Sequence, residues 1–260
     1  MSRDKKSVII FLIVTFLLSC ICYYIYITGG EEASSIVALL MWCPGLVAIL
    51  IKKIFYRKER LFGFQRCSIK YILLGIFLPA VYLMVSYGIY WAINPASFTG
   101  KTMLTSIVYT ILMILSGTIL AMGEEIGWRG FLLPKMDILI GRKPAILVCG
   151  LIWAMWHYPI MIAGLYQSGT PTWYQLPMFT IEVVLITAVM AYLRLNSNSI
   201  WPAILLHASH NIIDQTICAP LTEADNSAYF AGETGFITVI CIFLITLILY
   251  RKFRRKAQHQ

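Results

Sequence analysis

Charge is what this 260-residue chain has little of: 13% of its residues are Asp, Glu, Lys or Arg, where a soluble domain carries about 25%. Seven cysteines are present, but they form no CxxC pair and no metal-finger spacing. Most sit inside apolar runs, where they read as small hydrophobes and not as a disulfide framework. No internal repeat, low-complexity tract or second domain is evident. The terminal KAQHQ carries no lipidation motif, and no HExxH is present to set two zinc ligands and a base on one helix.

What is there is hydrocarbon. Hydrophobic residues make up 59% of the chain and the mean hydropathy is +0.77. A run of about 20 apolar residues is needed to cross roughly 30 Å of bilayer core. Eight such runs occur, at about 7–28, 34–51, 70–92, 102–123, 144–164, 176–195, 201–220 and 234–250. The expected fold is therefore all-α, a polytopic transmembrane helical bundle. The first run could instead be a signal peptide, with Leu17-Leu18-Ser19-Cys20 faintly resembling a lipoprotein box. Its apolar stretch continues to Ile27, however, and favours a span.

Basic residues orient the bundle. If the N-terminus is cytosolic and the eight spans alternate, twenty of the 21 Lys and Arg fall inside and only Lys101 outside. Glu31, Glu32, Glu223, Asp225 and Glu233 are then expected in outer loops. This positive-inside bias predicts a multi-pass cell-membrane protein with both termini cytoplasmic. The net charge of +9 accordingly means contact with anionic lipid head groups, with no nucleic acid as partner. The chain divides into N-terminal helices (1–101), a chemistry-bearing core (102–220), and a last helix with a basic tail (221–260).

Residues 1–100 hold no catalytic constellation, but three later spans carry polar groups that membrane helices avoid. AMGEEIGWRG (121–130) follows an uncharged stretch from Thr102 to Leu120. A carboxylate near the bilayer centre costs roughly 2.5–3.5 kcal/mol on insertion scales. Glu125 and Arg129 stand at i and i+4, the spacing of an ion pair. Glu124, about 100° away round the helix, is left over. Gly123, Gly127 and Gly130 permit close backbone approach or local unwinding. LIWAMWHYPI places His157 deep in the fifth span, with Trp153 and Trp156 read as packing and Pro159 as a kink just beyond. In NSNSIWPAILLHASHNIIDQ, Asn198 or Ser199 is the expected N-cap of the seventh span, and His207, His210, Asn211 and Asp214 share one face.

E-E-x-x-x-R (Glu124, Glu125, Arg129), an aromatic-x-x-x-His element (Trp153 to His157) and H-x-x-x-N (His207 to Asn211), in that order on separate spans, resemble the CPBP intramembrane proteases. These are the CAAX-prenyl-endopeptidase and bacteriocin-processing proteins, also called the ABI family. The resemblance covers about residues 102–220, and Trp153 departs from the Phe usual at that position. It implies an endopeptidase acting on membrane-associated, lipidated or leader peptides, with Glu124 and His157 activating water and His207 and Asn211 stabilising the oxyanion. Glu125 and Arg129 would hold Glu124 in place. Zn²⁺ is the one cofactor those residues could bind, through His157, His207 and Glu124, though Asn211 suits an oxyanion better than zinc, and a metal-free glutamate mechanism is the other reading. His210, Asp214 and Glu182 lie outside the pattern. The catalytic cavity is expected to open towards the cytosol. Two other readings stay open: an idle immunity or partner-binding protein on the same scaffold, and a proton-coupled transporter.

Overall fold

Each apolar run becomes a helix because, in hydrocarbon, every backbone N–H and C=O must be satisfied within its own segment. The computed structural model describes residues 1–100, 107–166 and 169–258, without the side chains of Glu31 and of residues from 253 onward. Helix α1 spans Arg3–Gly29, α2 Ile36–Phe55, α3 Ile69–Ile93 and α4 Ile107–Glu125. A π-helical stretch, Ile126–Leu132, joins α4 to α5 (Leu133–Ile140) without a break in the helical path. Helix α6 follows over Arg142–Ile162 and α7 over Thr172–Ser197. Helix α8 (Trp201–Asn211) runs into a second π-helical stretch, Ile212–Cys218, before the short α9 (Ser227–Phe230) and α10 (Phe236–Gln258). Among the described residues there is no strand.

Among the described residues, six helical stretches are long and apolar enough to cross a membrane by length and composition, the fourth running from Ile107 through Ile140. The other two expected spans coincide with α8 plus its π-helical stretch and with α10. The expected fold class is the observed one. The surface agrees: Ile13, Leu17, Ile21, Leu46, Leu50, Ile111 and Leu112 all point outward, each more than a third exposed. In a bilayer those faces meet lipid, and the bundle interior must be held by packing and polar contacts.

Loops gather at two ends. At one, Arg3 bonds Glu59 (2.6 Å), Lys135 bonds Asp4 (2.9 Å) and Tyr56 donates to Asp4 (2.5 Å), tying α1, the segment after α2, and α5 together. Ser199 donates to the Gln65 carbonyl at the same end. At the other, Glu223 N–H bonds the Ser97 carbonyl (2.9 Å) and Tyr90 bonds Asn226 (2.6 Å). Arg3 and Lys135 lie at this first end, where the expected topology places basic residues; Arg129 is instead buried within the bundle, and Lys101 lies outside the described residues. Asn198 adopts the left-handed conformation (φ 53°) that ends α7, so it closes one helix and does not cap the next. Pro202 does sit in the first turn of α8.

Close backbone approach seats α4. A Cβ on Gly45 would lie 2.4 Å from the Gly123 carbonyl oxygen, and one on Gly127 would lie 2.4 Å from the Pro44 Cβ. These glycines bring α2 against the stretch of α4 that carries Glu124.

Candidate active site

The three motif elements meet at one internal cavity of about 200 Å³, whose lining includes Glu124, His157, His207 and Asn211. Glu125 and Arg129 stand behind it, 0% and 2% exposed. Glu124 and Glu125 end α4 just before a π-helical stretch, and Asn211 ends α8 just before the other. In both stretches the backbone bonds reach back five residues, from Leu133 N–H to Trp128 O and from Ala219 N–H to Asp214 O. Such widened turns are frequent at functional sites. They also correct the expected end of the fourth span: the helix runs on through Ile140, so the two glutamates sit mid-bundle, not at a juxtamembrane boundary.

Glu125 is the hub. Its Oε1 accepts from Arg129 Nη1 (3.0 Å) and lies 3.0 Å from His207 Nδ1. The expected Glu125–Arg129 pair is therefore present, with His207 as a further member. Arg129 also donates to Thr187 Oγ1 (2.9 Å) and stacks its guanidinium 3.9 Å over the Trp153 ring. Arg194 donates to the Arg129 carbonyl (3.2 Å), satisfying a backbone oxygen of the widened helix. Two carboxylates, Glu124 and Glu125, thus face two cations if the His207 ring is doubly protonated. With Nδ1–H bonded to Glu125, that is the form in which Nε2 can donate.

Trp153 does more than pack. Its indole N–H donates to Glu124 Oε2 at 2.7 Å, fixing one carboxylate oxygen. His157 Nδ1 lies 2.9 Å from the Trp153 carbonyl, and the ring stands edge-on among Trp156 (4.9 Å), Phe179 (5.2 Å) and Tyr166 (5.7 Å). Its Nδ1 is taken by that backbone oxygen, so Nε2 is the nitrogen left for a reactant. Trp156 is held in turn by Ser19 (2.8 Å), and Tyr23 donates to its carbonyl, so α1 buttresses the histidine helix.

Outside the three motifs, Glu182, His210 and Glu233 also line the cavity. Glu182 belongs to the buried stripe of α7, with Phe179, Ile186, Thr187 and Met190. Glu233 corrects an expectation: read as an outer-loop residue, it is 8% exposed and turns inward. Nothing in its local sequence marks that return. Asp214 leaves the expected shared face, bonding Tyr87 (2.8 Å) and lining a neighbouring pocket with Gly232. The cavity also reaches Leu165 and Tyr166, after α6, and Glu233, before α10. Those segments lie at the helix ends opposite Arg142, Arg194 and Arg251, so the cavity is not on the basic side where it was expected.

The donors do not converge on a metal. Among the described residues no three His, Cys, Asp or Glu side chains stand close enough to hold an ion. Glu124 gives one oxygen to Trp153, and His207 gives Nδ1 to Glu125.

Comparison with known proteins adds a family. Residues 106–213 match the model described as type II CAAX prenyl endopeptidase Rce1-like, a stretch that contains all seven motif residues from Glu124 to Asn211. The chain is also 25% identical to CAAX prenyl protease 2 of Methanococcus maripaludis, over 96% of each chain.

Proposed function

With the chain belonging to the Rce1-like CAAX prenyl endopeptidase family, a family of membrane proteases, we propose that it hydrolyses membrane-held peptides with water activated by Glu124 and His157. The observation that carries this reading is one cavity lined by residues from all three motifs. Peptide hydrolysis needs a base for water, donors for the oxyanion and a proton for the leaving amine. Glu124, anchored by Trp153, takes the proton of a water oriented by His157 Nε2. The hydroxide oxygen bonds the scissile carbonyl carbon, and the C=O electron pair moves onto oxygen. His207 Nε2–H and the Asn211 amide face that oxyanion, with Glu125 balancing the charge on His207. As the carbonyl re-forms, the C–N pair leaves with nitrogen, which takes back the proton held on Glu124.

Substrates are prenylated or otherwise lipidated peptide ends that reach the cavity laterally from the bilayer. The cytosol is assigned to the end bearing the described Lys and Arg. The test is cleavage of S-farnesyl-cysteine peptides by purified protein in lipid vesicles. Activity lost in Glu124→Gln with the fold retained supports the reading; near-normal turnover in that variant overturns it.

A further inference from the structure

The cavity holds a second group of ionisable side chains, in which carboxyl groups outnumber their basic neighbours. Glu182 and Glu233 face His210, whose Nε2 stands 3.9 Å from Glu182 Oε1 and 3.7 Å from Glu233 Oε1. The other ring nitrogen is engaged by the Tyr82 hydroxyl at 2.6 Å. Asp214 lies beyond, bonded to Tyr87, and Tyr166 and Gln215 complete the surroundings. Three carboxylates thus share one histidine and no Lys or Arg, whereas Glu124 and Glu125 have both Arg129 and His207.

Hydrogen bonding is equally incomplete. Glu182 is 1% exposed, and neither carboxylate oxygen has a hydrogen-bond partner among the described residues. Gln215 donates to Glu233 Oε1 (3.0 Å), and the Tyr166 hydroxyl and His210 also interact with that carboxylate. Buried polar groups are ordinarily satisfied, and each exception calls for an explanation. Here the unsatisfied oxygens line the cavity that holds the reacting groups.

We propose that Glu182 and Glu233 form a subsite for a cationic side chain of the substrate, of lysine or arginine type, close to the scissile bond; this rests on the protease reading above. An ammonium or guanidinium would supply the donors that Glu182 lacks and a cation for the carboxyl groups to face. Distance along α8 sets its place in the peptide. His210 follows His207 by three residues, a rise of about 4.5 Å, and an extended peptide advances about 3.3–3.6 Å per residue. The cationic residue therefore lies one or two positions from the bond cleaved.

The probes are S-farnesyl-cysteine peptides carrying lysine or its uncharged isostere norleucine at each position in turn. One arm measures the lysine-to-norleucine ratio of kcat/KM for the parent protein, Glu182→Gln and Glu233→Gln, so that a general loss of activity cancels within each protein. The other measures equilibrium binding to Glu124→Gln protein, in which Glu182 is intact. At one position lysine should be preferred about thirtyfold, the low end of what breaking a buried charge pair costs. That ratio should fall towards one in Glu182→Gln, with Glu233→Gln serving if Glu182→Gln does not fold. Equal handling of lysine and norleucine at every position overturns the subsite, as does a preference that survives both substitutions. Glu124-dependent cleavage without lysine preference removes the subsite alone. Lysine-dependent binding without any cleavage removes the protease reading and leaves the subsite standing.

Discussion

Replacing Glu125 by glutamine keeps the shape of the side chain and removes the charge on which two cations lean. Arg129 Nη1 and His207 Nδ1 both lie 3.0 Å from the same oxygen, in a site where Glu125 is 0% exposed. Breaking such a pair from one side costs about 3–5 kcal/mol, because the remaining charge stays buried without compensation. Arg129→Gln should cost more. It strips Glu125 of its partner and also loses the stack on Trp153, roughly 2 kcal/mol when desolvated, and a charged bond to Thr187, about 1.5–3 kcal/mol. In Glu125→Gln/Arg129→Gln neither charge of the pair remains, so the double variant should be more stable than the sum of single losses by about 3 kcal/mol. Catalysis should not return with it, because His207 still lacks its carboxylate. The assay is a double-mutant cycle on unfolding by SDS in mixed micelles, with turnover measured alongside. Losses that add to within about 0.5 kcal/mol, the scatter of independent sites, would refute the pairing on which this account of the second glutamate depends.

His157→Ala should abolish turnover while the protein remains folded, and measurable hydrolysis by the purified variant would remove His157 from water activation. Trp153→Phe keeps a ring under Arg129 but loses the indole donor to Glu124 Oε2; kcat should fall about tenfold, as for one charged hydrogen bond, with KM little changed, and an unaltered kcat would reduce Trp153 to packing. Gly45→Ala sets a methyl 2.4 Å from the Gly123 carbonyl oxygen and should cost about 1–3 kcal/mol by overpacking, read as lowered thermal stability together with lowered turnover; a variant as stable as the parent would contradict the close approach of α2 and α4. Cysteines placed near Asn226 and near Lys256 should label from opposite faces of sealed vesicles, and labelling from one face would overturn the eight-span topology.

The bundle was legible because hydrocarbon leaves the backbone little choice: a long uncharged run must be a helix, and its length announces it. Charge at mid-membrane defeats the same reasoning. The fourth span seemed to end at residue 123 because Glu124, Glu125 and Arg129 follow. The helix continues because Glu125 and Arg129 neutralise each other, Thr187 and Arg194 bond the arginine's side chain and carbonyl, and Gly127 lets Pro44 pack close. Those partners come from residues far apart in the chain. No window of sequence contains them.

The site was legible to the extent that its chemistry repeats along helices. His207 and Asn211, one turn apart, had to face together, and they do so into one cavity. What periodicity does not carry is the direction of a donor. Trp153 reads as a packing residue from any pattern of apolar spacing, since an indole and a phenyl ring fill a core alike. Only the fold shows that its N–H reaches Glu124. The difference bears on function. A phenyl ring there would leave Glu124 Oε2 without that bond, whereas the indole holds the carboxylate by that oxygen. On the proposed mechanism, the residue at which this chain departs from the usual phenylalanine is thus the one that would select which glutamate oxygen meets the water.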